Sequence, residues 1–135
     1  MESEESFMKY VTKEAIDSLS EKLNLPFKSE FSQDWEYEVA DDERLSEFLK
    51  FYKERCANNE EKFALMIVII GSYNELLKKG IHDKTIWGDI EYYLFKDASI
   101  HTNTILYWSL ENEELDNCFL ITPLIREVLY RVRNS

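Results

Sequence analysis

Eight consecutive apolar side chains, Phe63-Ala64-Leu65-Met66-Ile67-Val68-Ile69-Ile70, sit between flanks of helix-forming composition. A helix turns about every 3.6 residues, so a run of this length covers every side of it. A helix without a polar face must be surrounded by other elements. The β-branched stretch Ile67-Val68-Ile69-Ile70 would also suit a buried strand. The flanks Glu60-Glu61-Lys62 and Asn74-Glu75-Leu76-Leu77-Lys78-Lys79 favour one long helix over about 60–79, with lysines in its last turn and Gly80 as its stop. The run is far too short for a bilayer, which needs roughly 20 residues. The rest of the chain therefore has to supply the cover.

The remaining segments offer helices with one apolar stripe each. Phe7, Val11, Ala15, Leu19 and Leu23 recur every fourth position, which predicts a first helix from about Ser6 to Leu23 that ends before Pro26. Residues 1–5 read as a frayed end. Asp41 or Asp42 caps a second helix with Leu45, Phe48, Leu49, Tyr52 and Cys56 inward. A fourth helix is expected from Lys84 to Phe95 and a fifth from His101 to Leu110. The last runs from Pro123 to Val132, with Thr122 as its cap and Leu124, Val128 and Leu129 inward. Trp35-Glu36-Tyr37-Glu38-Val39 alternates like a strand, but no second strand is on offer to pair with it, so Phe27 to Asp41 reads as an extended loop. With 3 Gly and 2 Pro there are few tight turns, which argues against a sandwich or barrel. The expectation is a single all-α domain over 1–135, of about six helices, with the helix near 60–79 at its centre.

Charge narrows the function. The formal net charge is -11. Residues 1–48 hold 14 acidic and 5 basic side chains, a net of -9, so the acidity is gathered in one third of the chain. Such a chain repels phosphates and anionic lipid surfaces and attracts basic proteins. Neither nucleic acid nor membrane is an expected partner. The two cysteines, Cys56 and Cys118, sit in apolar helical context and read as reduced thiols. The start, Met1-Glu2-Ser3-Glu4-Glu5, is acidic where a secretory signal would be basic, and cytoplasm is the expectation.

Residues that carry chemistry are sparse. His82 and His101 lie 19 positions apart, outside any metal-binding spacing. No serine stands in a nucleophile elbow, and glycine is too rare for a phosphate cradle. Carboxylate pairs are so numerous that none is informative. No catalytic residue, metal ligand or cofactor is expected.

One segment stands out. From Glu30 to Glu47 there are eight carboxylates against a single arginine, Arg44, with Trp35 and Tyr37 embedded among them. Rings supply the desolvated anchors of interfaces and charges steer association. Glu30, Asp34, Trp35, Glu36, Tyr37, Glu38, Asp41, Asp42 and Glu43 are therefore the candidate partner-binding residues. The competing reading has Trp35 packed in the core and the acids solvating a loop. Tyr92-Tyr93 and Tyr107-Trp108 form a second aromatic-rich region, which at helical spacing suits a core.

Several stretches together resemble a known group: Asp34-Trp35; Arg44 with Glu47-Phe48-Leu49; Lys62-Phe63-Ala64-Leu65-Met66 with Ile69-Ile70 and Ser72; Tyr107-Trp108; and Ile121-Thr122-Pro123-Leu124-Ile125-Arg126. They are similar to small helical bacterial immunity proteins of polymorphic or contact-dependent toxin systems. The resemblance implies a protein that binds a cognate toxin, often a nuclease, and blocks it in the producing cell. It rests on scattered core and turn residues, and the group has no shared binding motif to carry over. A basic nuclease must hold phosphates with positive surface, which an acidic protein can cover. The alternatives are a regulatory or scaffold module for some other protein, an enzyme using dispersed carboxylates, and a monomer or homodimer in either case.

Overall fold

A computed structural model of the chain describes residues 10–26 and 35–135. Seven α-helices lie among them: α1 (Lys13–Leu23), α2 (Trp35–Glu38), α3 (Leu45–Glu54), α4 (Asn59–Lys78), α5 (Lys84–Lys96), α6 (Ala98–Ser109) and α7 (Thr122–Arg133). Two 3-10 turns, Asp42–Arg44 and Leu115–Asn117, complete the described secondary structure, which contains no strand. The fold is all-α, and α4 is its axis.

The apolar run forms a helix, and its neighbours explain its composition. α1, α2, α3, α5, α6 and the 42–44 turn all pack on α4, while α7 lies against α5 and α6. One continuous hydrophobic cluster runs from Ala15 on α1 to Leu129 on α7. The polar residues buried on α4 each fasten a neighbouring segment. Ser72 Oγ accepts from the Asp41 amide at 2.8 Å, and Asn74 Oδ1 accepts from the Ile121 amide at 3.0 Å. Glu61 accepts from the Ala57 amide at 3.0 Å and from the Ser18 hydroxyl at 2.7 Å. Backbone donors that pass the central helix are thereby satisfied inside the protein.

Helix ends follow local chemistry. Asn58 accepts from the Glu61 amide at 2.9 Å and starts α4. Gly80, just past its end, takes φ 82°, the left-handed region that a glycine enters without strain. Asp83 accepts from the Thr85 and Ile86 amides and starts α5. The end of α6 is held differently. Leu110 has φ 43°, unusual for a residue with a side chain, and Arg126 of α7 reaches across to it. The guanidinium donates to the carbonyls of Ser109 at 2.7 Å, Leu110 at 2.5 Å and Glu113 at 2.8 Å. Carbonyls that the helix leaves unpaired thus find a cation from another element.

Four expectations need correction. The described start of the first helix is Lys13, because Thr12 caps it by accepting from the Ala15 amide at 3.1 Å; Phe7 and Met8 lie outside the described residues. Trp35–Glu38 is a helical turn and not extended backbone, since Trp35 and Val39 are both buried and a turn places them on one side. α6 begins at Ala98, and His101 is the site of a kink within it, with φ -106° and ψ 15°. Thr122 is the first residue of α7 and not its cap, because its buried hydroxyl donates to the Trp108 carbonyl at 2.8 Å.

Candidate functional site

The acidic segment unfolds along α4 rather than across one face. Trp35, 1% exposed, and Val39, 1% exposed, anchor α2 to the core. That anchoring turns Glu36, Tyr37 and Glu38 away from it, with Tyr37 and Glu38 exposed. Trp35 is therefore a packing residue and has no surface to offer a partner. Its indole Nε1 is buried without a hydrogen-bond partner. Glu30 and Asp34 lie outside the described residues.

Further along, the acids serve the fold. Asp41 caps the 3-10 turn by accepting from the Glu43 amide at 3.0 Å. Asp42 pairs with Lys79 at 2.8 Å and, being only 14% exposed, is largely covered. This pairing raises the Lys79 pKa, chiefly through the hydrogen bond. Arg44 donates to Glu47 and to the Leu23 carbonyl. The Arg44 hydrogen bond holds the Glu47 carboxyl below its usual range. Glu43 is exposed. Since Glu36 and Tyr37 share a groove with Ile67, and Asp42 meets Lys79, the segment spreads its charges over twelve residues of helix, about 18 Å.

Where α2 meets α6, the two aromatic regions converge. Tyr37 Oη and Tyr107 Oη are 2.8 Å apart, and the Tyr37 ring lies 6.3 Å from that of Trp108. Trp108 is itself backed by Phe119, with centroids 4.4 Å apart. Around this contact is a groove of about 470 Å³ lined by Tyr10, Glu36, Tyr37, Phe63, Ile67, Asn103, Thr104, Tyr107 and Trp108. Tyr37 is 43% exposed and Tyr107 is 53% exposed, so rings that are usually buried here face outward. The groove unites Glu36 and Tyr37 from the acidic segment with Tyr107 and Trp108 from the second aromatic region. Seventy positions separate Tyr37 from Tyr107, and no local pattern in the sequence announces their meeting.

Tyr92 does not belong to this site. With Phe95 and Tyr130, both exposed, it lines a separate groove of about 550 Å³ between α5 and α7, whose lining includes the Arg131–Glu91 pair at 3.1 Å. Tyr93 turns inward and packs on Tyr52 at 5.4 Å.

A polar cluster lies deeper. Tyr52 Oη is 2.7 Å from Asp97 Oδ2 and 2.7 Å from His101 Nε2. The tyrosine has one proton, which it donates to the carboxylate. His101 Nε2 must then carry the proton that points at the tyrosine oxygen, leaving Nδ1 as a bare acceptor. Nδ1 indeed has no partner. Burial pushes the His101 pKa down to about 4, against the opposing pull of Asp97. At neutral pH the ring is uncharged. His101 and Tyr52 are buried, and the cluster fastens α3 to the start of α6. His82, by contrast, is exposed.

Burial also pushes the Cys56 thiol up to about 12. Both cysteines are free thiols. Among the described residues no three His, Cys, Asp or Glu side chains converge as a metal would require. No described helix is long and apolar enough to cross a membrane. Comparisons of the chain with protein-family models, with characterised proteins and with solved structures returned no match.

Proposed function

We propose that this chain is an immunity protein: it binds a cognate bacterial toxin, a basic nuclease domain, and neutralises it inside the producing cell. The observation that carries the reading is the contact of Tyr37 with Tyr107, which gathers exposed rings and the acidic α2 into one surface. Exposed aromatic side chains on a strongly acidic chain have the composition of an interface for a basic protein, with rings as anchors and carboxylates as steering groups. The net charge of -11 supports rapid capture of a positively charged partner. The proposed contact set is Glu36, Tyr37 and Glu38 with Tyr107. Trp35 acts behind it by holding α2 in place.

The test is a binding measurement against the product of the adjacent gene, purified as a catalytically inactive variant. The expected result is a stable complex whose association rate falls at least tenfold between 0.05 and 0.5 M salt, because screening shortens the reach of the charges. A complex whose association rate ignores salt removes the electrostatic part of the proposal. Absence of any complex removes the function.

A further inference from the structure

We infer that two copies of this chain pair about a two-fold axis through the outward faces of α5 and α7, closing over the groove that Tyr92, Phe95 and Tyr130 line. This face is separate from the toxin contact set on α2 and α6 and owes nothing to it. α5 is apolar on two sides. Trp87, Ile90 and Leu94 are buried in the core. Gly88, Tyr92 and Phe95 line the groove and lie about 130° round the helix from them. A surface helix normally has one apolar side and a polar side opposite. Here the second side carries rings, 57% exposed at Tyr92 and 45% exposed at Phe95, and α7 adds Tyr130 at 70%. Exposed rings gathered along one groove mark a surface that another protein covers. Gly88 admits close approach: a methyl group built on it meets nothing within 4 Å, so another chain's side chain can reach the backbone of α5 there.

Charge selects a second copy as the occupant. α5 and α7 together hold five basic and three acidic side chains, a net of +2, which leaves -13 on the rest of a chain whose total is -11. Two such chains repel one another over most of their surface, and these helices are where they can touch. A basic toxin is steered elsewhere by the same sign. Among the described residues, the charged side chains of the groove lining are Glu91 on α5 and Arg131 on α7, 3.1 Å apart. Arg131 keeps 59% of its side chain exposed. One acid and one base on neighbouring helices make a self-complementary patch, because a two-fold rotation brings Glu91 of each copy to Arg131 of the other. A partner of a single sign has no use for both. The helices are about 20 and 18 Å long, which puts the shared face at the small end of specific interfaces and the Kd on the order of 10–100 µM.

The experiment is sedimentation equilibrium of the whole chain from about 5 µM to about 1 mM. The wild type is expected to pass reversibly from monomer to dimer. Gly88→Gln fills space that is open in the monomer, and Tyr130→Ala removes an exposed ring. Each should weaken the dimer about tenfold or more without lowering the melting temperature of the dilute monomer. Tyr37→Ala, on the toxin face, should leave the dimer as it is. The decisive arm mixes two variants. Glu91→Arg puts two positive groups in the groove and Arg131→Glu puts two negative ones there, so each variant repels its own kind and stays monomeric where the wild type is paired. An equimolar mixture should dimerise, because position 91 of one copy then meets the opposite charge at position 131 of the other, while like charges persist within each chain. A purely structural role of the Glu91–Arg131 pair cannot produce that rescue. A wild type still monomeric at about 1 mM, a dimer indifferent to both Gly88→Gln and Tyr130→Ala, or a mixture no more associated than its components overturns the inference. So does a monomeric chain whose Gly88 and Tyr92 amide resonances move only when the inactive toxin is added, which would give this face to the toxin.

Discussion

Removing the guanidinium of Arg126 should be the most informative single change to the fold. Arg126 makes three hydrogen bonds to main-chain carbonyls at the end of α6 and in the following turn, where the Leu110 carbonyl also accepts from the Glu113 amide at 2.9 Å. Their environments differ: Ser109 is buried, Leu110 is half-buried and Glu113 is exposed. Water would replace the guanidinium at Glu113, so that bond contributes little. The Ser109 carbonyl would be stranded, at a cost of about 1–3 kcal/mol, and Leu110 would lose the contact that offsets its left-handed backbone, about 1 kcal/mol. Arg126→Met, which keeps the aliphatic stem, should therefore destabilise the protein by about 2–4 kcal/mol. Arg126→Lys should recover roughly half, because a lysine can satisfy one of the carbonyls but not all three. Urea unfolding followed by far-ultraviolet circular dichroism gives these values from the midpoints, provided the slope is unchanged. The melting temperature should fall by roughly 8–12 °C for Arg126→Met. The exposed ion pair of Arg133, on the same helix, with Glu111 of the turn after α6 is the control: Arg133→Ala should leave the midpoint where it is. A loss below about 0.5 kcal/mol for Arg126→Met, or no difference between Met and Lys at this position, would refute the clamp.

Acidification should weaken the fold through His101. Its folded pKa is held near 4 and its unfolded pKa is about 6.5, so between those values the unfolded chain binds the extra proton and stability falls as pH drops, by about 3 kcal/mol in all. His101→Gln should flatten the stability profile between pH 6.5 and pH 4, and an unchanged slope would show that other groups cause it. Trp35→Ala should cost about 3–5 kcal/mol of stability, as expected for a core ring; near-wild-type stability would return Trp35 to the surface. Tyr37→Ala and Tyr107→Ala should instead weaken partner binding tenfold or more with a small change in melting temperature. Gly80→Ala should cost about 1 kcal/mol through backbone strain alone, since no atom lies near the added methyl group; a neutral effect in urea unfolding would contradict the strain argument.

The division between what sequence and structure each decided is physical. The central helix was legible because its signal is local: eight apolar residues fill all sides of two turns, and Asn58 and Gly80 end the helix by contacts within a few residues. The amphipathic helices α3, α5 and α7 were legible for the same reason, since burial of one face imposes a period of 3.6. Helical periodicity says which face is inward, but not which neighbour covers it. Hence the acidic segment could be read as a docking face, although only packing decided that Trp35 goes into the core and that Asp42 is spent on Lys79. A four-residue turn such as α2 has too few hydrogen bonds to be stable by itself, so its form depends on the wall of α4. The Tyr37–Tyr107 contact and the Arg126 clamp both arise from the approach of distant segments. The chain's own pattern determined its helices and its charge. Tertiary packing determined which rings and carboxylates face outward together, because that depends on how helices stack and not on any residue's neighbours in sequence.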